Sequence, residues 1–329
     1  MLVECARMEK LDRPAVQWVE ISAEEAGQRI DNFLQRYLKG VPKSRIYRLL
    51  RKGEVRVNRG RAKPEYRIQG GDQVRIPPLR MAASVDPGPA VKSAGRLLDA
   101  VLYEDERLLV LNKPAGMAVH GGSGLSFGVI EALRALRPAS PYLELVHRLD
   151  RDTSGCLLIA KRRSELRTLH DLLRNARVEK RYLLLVEGEW LENQREVKAA
   201  LKKNLLRGGE RLVQIDPDGK EAFTCFRLLE SYPGASLLEA ELKTGRTHQI
   251  RVHAAHTGHP LAGDEKYGDS DFNRKMRALG LRRLFLHAHY VAFTDTDRQR
   301  SVAVSAPMSA DLRNVIQQLE AGPDTGQNT

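Results

Sequence analysis

The sequence predicts an α+β fold, with a mixed, largely antiparallel sheet in a large carboxy-terminal domain and a smaller domain before it. Many short apolar segments are interspersed with helical patterns, without the repeated strand–helix unit of a parallel sheet. Residues 81–97 are rich in Ala, Ser, Pro and Gly, a composition typical of a linker, and they divide the chain. Basic side chains are concentrated before this linker, which indicates that the two domains differ in their tasks.

The charge of the chain is unevenly distributed. The 329 residues include 54 Lys and Arg against 42 Asp and Glu, a formal net charge of +12. Residues 41–80 alone contain 12 basic and 3 acidic side chains, so they hold most of the surplus. Such a concentration of positive charge favours a polyanionic partner.

The cysteines and the apolar runs indicate the compartment. Cys5, Cys156 and Cys225 lie far apart without a C-x-x-C pair, which argues against a disulfide framework and a Cys-type zinc site. No apolar run approaches the roughly 20 residues that cross a bilayer, and the amino terminus lacks a hydrophobic signal region. We therefore expect a cytoplasmic protein with no membrane partner.

The first domain is predicted over residues 18–80, after a flexible leader of residues 1–17. A first helix places apolar residues on one face, namely Ile30, Phe33, Leu34 and Leu38. A second helix, from about Ser44 to Gly53, buries Ile46, Leu49 and Leu50. Its opposite face carries the basic residues Arg45, Arg48, Arg51 and Lys52. Short alternating strands are predicted at residues 54–58 and 73–76.

The second domain is predicted over residues 98–320 and ends in a polar tail, residues 321–329. Apolar β patterns occur at residues 101–103, 107–112, 156–160, 182–187, 222–229, 236–243 and 284–293. Helical patterns surround Leu133, Leu169 and Leu312. The glycine-rich loop Gly121–Gly124 lacks the Gly-Lys-Ser/Thr that holds nucleotide phosphates, so no nucleotide cofactor is expected.

A charged stretch, His147–Gly155, lies between two apolar segments of this domain. It differs from the kinase catalytic loop because Leu149 separates Arg from Asp and the nucleotide-binding loop is missing. It also differs from the aspartic-protease loop, because no second copy supplies the carboxylate dyad. These exclusions leave the pattern H-R-L-D-x-x-T-S-G.

This pattern resembles the signature of the RluA-type pseudouridine synthases. The likeness extends to K-P-x-G at Lys113–Gly116, K-R-Y at Lys180–Tyr182 and the run Thr244–His253. The resemblance implies a pseudouridine synthase fold and isomerisation of uridine in RNA, without a cofactor or energy source. The first domain, with its sequence Arg51–Asn58, similarly resembles an S4-type RNA-binding module.

The resemblance also implies roles for individual residues. Asp150 takes the place of the nucleophile, whose target, the ribose carbon or base C6, stays open. Arg251 matches an arginine that pairs with this aspartate and keeps it ionised. Tyr182 matches a tyrosine that stacks on the uracil and has been proposed to help remove the C5 proton. Arg148 matches a residue that fills the stack vacated by the flipped base, and His147 is expected to orient the turn against the substrate.

The RNA partner expected from the resemblance is 23S ribosomal RNA, bound by a monomer. The basic face Arg45, Arg48, Arg51 and Lys52 would contact phosphates and anchor the RNA without selecting the base. The histidines between His248 and His259 match no metal-site spacing, so no metal is expected. Two alternatives remain: a non-catalytic ribosome-assembly factor, which would not need Asp150, Tyr182 and Arg251, and a pseudouridine synthase acting on transfer RNA.

Overall fold

The computed structural model describes residues 15–23, 25–38, 41–79, 95–121, 127–140, 142–205 and 211–321. The chain divides into two compact units, Met1–Pro87 and Gly88–Thr329, which we term the amino-terminal and carboxy-terminal units. The division falls within the stretch predicted as a linker. Most of that linker, of the leader and of the polar tail, together with Gly122–Gly124 of the glycine-rich loop, lies outside the described residues.

The amino-terminal unit packs two helices against a four-stranded antiparallel sheet. The helices are α1 (Ile30–Tyr37) and α2 (Lys43–Lys52). The strands are β1 (Gln17–Glu20), β2 (Arg56–Val57), β3 (Gly60–Arg61) and β4 (Gln73–Ile76), paired in the order β1-β4-β2-β3. Both helices bury the predicted apolar faces, and Gly53 ends α2 at φ +68°, a conformation that glycine adopts without strain.

The carboxy-terminal unit is built on a ten-stranded sheet and a separate hairpin. Its strands are β5 (Val101–Glu104), β6 (Leu108–Lys113), β7 (Glu144–Leu145), β8 (Ser154–Ala160), β9 (Val178–Glu187), β10 (Gln194–Lys198), β11 (Leu201–Leu205), β12 (Arg211–Ile215), β13 (Phe223–Tyr232), β14 (Ala235–Leu242), β15 (Leu286–Asp295) and β16 (Arg300–Ser305). The main order is β10-β13-β14-β9-β15-β8-β6-β5, with β7 on β8, β16 on β15, and β11–β12 as the hairpin. Strands β8 and β15 are parallel, whereas the other pairs are antiparallel.

Six helices accompany this sheet within the described part of the unit. They are α3 (Arg96–Asp99), α4 (Val129–Leu136), α5 (Arg163–Arg174), α6 (Gln249–His256), α7 (Ser270–Ala278) and α8 (Ala310–Ala321). The α+β class with a mostly antiparallel sheet is confirmed. Arg251 lies in α6.

Strand β8 explains how the charged stretch His147–Gly155 is held. All seven residues of β8 are buried, because Leu157 and Ile159 pack into the core on one face and Leu158 into the core on the other. A strand buried on both faces reads as a continuous apolar run. The charged stretch that enters it is therefore fixed to the centre of the sheet. No helix in the described ranges is long and apolar enough to cross a membrane.

Candidate active site

The charged stretch forms a turn between β7 and β8 that carries Asp150. The backbone N–H of Thr153 donates to the carbonyl of Asp150 at 3.2 Å and closes the turn. Gly155 has φ +108°, and a Cβ at this position would lie 2.2 Å from the carbonyl oxygen of Ala288 on β15. Only glycine fits where β8 meets its parallel neighbour. Close packing of two strands thus sets the position of Asp150.

Lys113 supports the turn from inside the protein. Its fully buried ammonium donates to the carbonyls of Pro114, Met117 and Arg151 at 2.8, 2.8 and 3.0 Å. Burial lowers the pKa of Lys113 to about 7, while the carboxylates of the charged turn act in the opposite direction. The K-P-x-G motif therefore tethers the backbone beside Asp150, a positioning role that the sequence did not reveal.

His147 accepts a hydrogen bond at Nε2, and its ring is uncharged at neutral and mildly acidic pH. The backbone N–H of Leu158 donates to its Nε2 at 3.1 Å. Burial, assisted by the charge of Lys180, lowers the pKa of His147 to about 4. The ring thus orients the turn against β8.

Asp150 faces a pocket of about 550 Å³, a size typical of sites for small organic molecules. Every residue that the sequence suggested for the catalytic domain lines this pocket: His147, Arg148, Asp150, Tyr182 and Arg251. Asp150 is the only carboxylate among the described lining residues. Six cationic side chains surround it: Arg148, Arg174, Lys180, Lys243, Arg246 and Arg251. Such a pocket attracts an anionic ligand and offers it one carboxylate.

Arg251 makes its direct ion pair with Asp264, which the sequence analysis had not identified. Its Nε and Nη2 donate to the two carboxylate oxygens of Asp264 at 2.7 and 2.6 Å. Asp264 is 1% exposed, and burial alone would raise its pKa, but the bonds from Arg251 lower it. Arg251 is thus held rigidly in the pocket by Asp264. Among the described residues its bonds go to Asp264 and not to Asp150, so its effect on Asp150 acts through space.

His248 lies near the carboxylate of Asp150. Its Nε2 lies 3.9 Å from Asp150 Oδ2, and its backbone adopts φ +53°, a conformation uncommon outside glycine. Its Nδ1 lies 2.9 Å from the hydroxyl of Tyr267, which already accepts from the N–H of Val213. Tyr267 can therefore donate to Nδ1, and in that arrangement the His248 proton is on Nε2, the nitrogen that faces Asp150. Burial lowers the pKa of His248, so the ring is neutral at pH 7.

Tyr182 presents its ring to the pocket from β9 and is 7% exposed. Burial, and then the charge of Asp150, raises the pKa of its phenol above the ordinary value. The phenol keeps its proton at neutral pH, so the resting residue offers a ring face and a hydrogen-bond donor.

Lys180 enters the pocket from β9, two residues before Tyr182. Burial lowers its pKa to about 8, against the charge of Glu241. In the described part of the chain its ammonium has no hydrogen-bond or ion-pair partner. A Cβ on Gly245 would lie 3.9 Å from its Nζ, which places the ammonium at the turn before α6.

Gln249 fixes that turn, residues 244–248, and was also missed by the sequence analysis. Its side-chain oxygen accepts from Thr244 Oγ1 and Arg246 N–H at 2.8 and 2.9 Å. Its amide donates to the carbonyl of Phe223 and to Thr224 Oγ1 at 3.0 and 2.9 Å. The position of Gln249 in the motif T-G-R-T-H-Q is the sequence feature that could have indicated this role.

Two further histidines of this region, His253 and His259, have structural partners. His253 is buried between Thr224 Oγ1 and the carbonyl of Ala199, each at 3.0 Å. His259 Nδ1 lies 2.8 Å from the carbonyl of Glu187. No group of three His, Cys, Asp or Glu side chains in the described ranges is arranged to hold a metal ion.

The predicted basic face lies on α2 of the amino-terminal unit. Ile46, Leu49 and Leu50 are buried beneath it. The side chains on the opposite face are all exposed: Arg45, Arg48, Arg51 and Lys52. The structure therefore presents these four charges to solvent, as expected for contacts with phosphates.

Comparison with protein families matches each unit to one family. Residues 107–256 match the RNA pseudouridylate synthase family, and residues 28–74 match the S4 domain. The second match covers α1, α2, β2, β3 and the start of β4 in the amino-terminal unit. The first includes the pocket residues from His147 to Arg251.

The chain is similar over nearly its full length to curated bacterial proteins. It is 54% identical to ribosomal large subunit pseudouridine synthase C of Escherichia coli, over 94% of this chain and 98% of that protein. Identity to the protein of the same name from Haemophilus influenzae is 53%, over 94% and 97% of the two chains. A solved structure, human RNA pseudouridylate synthase domain containing 1, superposes with a TM-score of 0.55 at 26% identity, over 68% of this chain and 96% of that one.

Proposed function

The chain belongs to the RNA pseudouridylate synthase family, and we propose that it isomerises uridine to pseudouridine in large-subunit ribosomal RNA. The observation that carries this proposal is the position of Asp150, the only carboxylate among the described residues that line a cationic pocket. The likeness to the large-subunit synthases over 94% of the chain supports ribosomal RNA as the substrate.

Asp150 forms a covalent adduct with the bound nucleotide, at the ribose carbon or at base C6. The bond between N1 and the ribose carbon breaks, the base turns while it is held, and C5 bonds to the same carbon. The C5 proton is then lost and N1 is protonated, so the atoms balance without an oxidant or reductant. The cations around Asp150 offset the negative charge of the carboxylate when the base covers it.

Tyr182 and Arg148 act while the target base is flipped out of the RNA, before the covalent adduct forms. The target must leave the RNA stack, at a cost of a few kcal/mol. Arg148 is exposed at the rim of the pocket, and its planar guanidinium fits the space that the base vacates. Tyr182 stacks on the uracil with its protonated phenol. Proton removal from C5 by this tyrosine would require Asp150 to be neutralised first, as it is when it forms an ester.

Arg251, His248 and Lys180 complete the pocket. Arg251, held by Asp264, stabilises negative charge on Asp150 when the adduct breaks down. His248 Nε2 faces the same carboxylate at 3.9 Å and borders the site where the nucleotide binds. Lys180 binds a phosphate of the target strand with its unpaired ammonium.

The S4-like unit anchors the RNA in this proposal. Arg45, Arg48, Arg51 and Lys52 contact phosphates, which gives affinity without base selection. The enzyme acts as a cytoplasmic monomer without metal or organic cofactor. We expect full activity in excess chelator, and a loss that added metal restores would refute the metal-free reaction.

The decisive experiment measures pseudouridine formation on protein-free large-subunit ribosomal RNA. Asp150→Asn keeps the shape of the side chain but removes the nucleophile, so activity should fall at least ~1,000-fold. Asp152→Asn is the matched control, because Asp152 lies in the same turn but forms an exposed pair with Arg151. This control should retain activity close to wild type.

Two outcomes would contradict the proposal. Activity retained in Asp150→Asn would remove the nucleophile from the mechanism. Wild-type activity on transfer RNA and not on ribosomal RNA would reassign the substrate, while leaving the reaction unchanged.

A further inference from the structure

The outer face of the amino-terminal sheet carries a row of four side chains that runs across all four strands. Strand pairing aligns Trp18 of β1 with Arg75 of β4, Arg75 with Arg56 of β2, and Arg56 with Arg61 of β3. Residues directly opposite in antiparallel strands point to the same face. The core face is the alternate row, in which Val74 and Val57 are buried. We term Trp18, Arg75, Arg56 and Arg61 the strand row.

The three arginines have no carboxylate partners among the described residues. Arg56 Nε donates to the carbonyl of Gly53 at 3.1 Å, and Arg75 Nη1 donates to that of Glu54 at 2.8 Å. The side chain of Arg61 also lies beside Gly53, since a Cβ on Gly53 would lie 2.9 Å from its Nε. Like charges on facing residues of a sheet are destabilising. The arrangement therefore concentrates positive charge at a cost in stability.

Trp18 ends the row and is 52% exposed, the largest apolar side chain on the surface of this unit. If Arg56 and Arg75 served only to cap the end of α2, their bonds to the carbonyls of Gly53 and Glu54 would be explained. The exposed indole of Trp18 and the position of Arg61 would not be. An exposed aromatic ring beside a line of arginines is the arrangement by which proteins bind single-stranded nucleic acid, with bases stacked on the ring and phosphates on the cations.

We propose that the strand row binds an unpaired segment of RNA, with one base stacked on Trp18 and the phosphates along Arg75, Arg56 and Arg61. The row meets the end of α2, where Arg51 and Lys52 lie in the last turn. It therefore extends the basic face of α2 around the unit. This proposal rests on the proposed function only in taking RNA as the partner. It adds a second RNA-binding surface to the amino-terminal unit, beside the basic face of α2.

Tryptophan fluorescence of the full-length protein tests the stacking directly. The chain contains two tryptophans, and Trp190 is 2% exposed, so an added ligand reaches the indole of Trp18 alone. Oligoadenylate of about ten nucleotides, near the site size of single-strand binding modules, serves as the probe because it contains no uridine. Binding should quench the fluorescence of the wild type and leave that of Trp18→Phe unchanged.

Affinity for the same probe, measured by anisotropy, separates stacking from charge. Trp18→Ala should weaken binding about 5-fold or more, whereas Trp18→Phe should stay within about 3-fold of wild type, because a ring remains. Arg61→Gln should reduce the slope of log affinity against log salt by about 0.7, the value for one phosphate contact on a single strand. Trp18→Ala should leave this slope unchanged.

Arg67→Gln is the control for lost charge, because Arg67 is an exposed arginine of the same unit outside the row. The side chain of Arg61 makes no hydrogen bond among the described residues, so its variant tests the row even if changes at Arg56 or Arg75 unfold the unit. Equal effects of Arg61→Gln and Arg67→Gln, or no quenching of the wild type, would overturn the proposal and leave an acidic protein as the partner to test. The probe reports binding without catalysis, so failure of the proposed function would not affect this result.

Discussion

The catalytic pocket and the basic surface of the S4-like unit are both rich in positive charge, yet they hold it differently. In the pocket, Arg251 is fixed by two bonds to the buried Asp264, and inside the protein three carbonyls hold Lys113 beneath the turn that carries Asp150. On the S4-like unit, the charges of α2 are exposed to solvent. Buried pairs are little affected by salt, whereas exposed charges are screened within a Debye length. The pocket is therefore suited to chemistry that needs fixed geometry, and the outer surface to adjustable anchoring.

The strongest test of this comparison removes the buried carboxylate that fixes Arg251. Asp264→Asn leaves a buried guanidinium without its counter-charge, which should cost about 3–5 kcal/mol of unfolding free energy. Turnover should fall at least about 100-fold, because Arg251 loses its fixed position. Chemical denaturation and single-turnover pseudouridine formation measure the two effects. Asp271→Asn removes an exposed ion pair with Arg274 and should cost under about 1 kcal/mol; equal losses in both variants would contradict the comparison.

The buried ammonium of Lys113 predicts a pH dependence of stability. Its pKa in the folded state is about 7, below its value in the unfolded chain, so the unfolded state binds more protons between pH 7 and about 10. The contribution of Lys113 to the free energy of unfolding should therefore rise with pH in that window and be lowest below pH 7. The wild type should gain roughly 2 kcal/mol over Lys113→Met between pH 7 and pH 9.

Urea denaturation of both proteins at the two pH values measures this difference. Lys275→Met, which alters an exposed lysine of α7, is the control and should follow the wild type. A parallel pH response of Lys113→Met and wild type would show that Lys113 is not neutralised on folding.

The exposed charges of α2 should act through binding alone. Replacing Arg45, Arg48, Arg51 and Lys52 by Gln should reduce the salt slope for ribosomal RNA by about 3, from four lost phosphate contacts. KM should rise at physiological salt while kcat stays near wild type, because the pocket is unchanged. Filter binding across a salt series, with Arg274→Gln as the charge control, measures this. A fall in kcat with an unchanged salt slope would show that these residues act in catalysis and do not anchor the RNA.

The smallest expected effect lies in the hairpin between β2 and β3. Arg59 has φ +68°, a conformation that costs a residue with a side chain about 1 kcal/mol. Arg59→Gly should therefore raise the unfolding free energy by about 0.5–1 kcal/mol, while Arg59→Ala keeps the strain and should show no gain. Thermal unfolding of the two variants decides between relief of strain and loss of charge.

Local patterns explain the success of much of the sequence analysis. Strand β8 was predicted because residues that are buried on both faces of a strand form a continuous apolar run. The boundaries of α2 were also predictable, because apolar residues repeat with helical spacing and Gly53 supplies the left-handed end. Short strands such as β1 and β3 were missed, because they contain too few residues to show an alternating apolar pattern.

The sequence by itself determined the α+β class, the family resemblance and the turn that carries Asp150, because each depends on neighbouring residues. Tertiary structure alone decided that Arg251 pairs with Asp264, that Tyr267 pairs with His248, and that Lys113 holds the turn. It also decided the strand row, since pairing between β1, β4, β2 and β3 aligns residues that are far apart in the chain. Hydrogen bonds and strand registers join distant segments, and their geometry is fixed only when the core has packed.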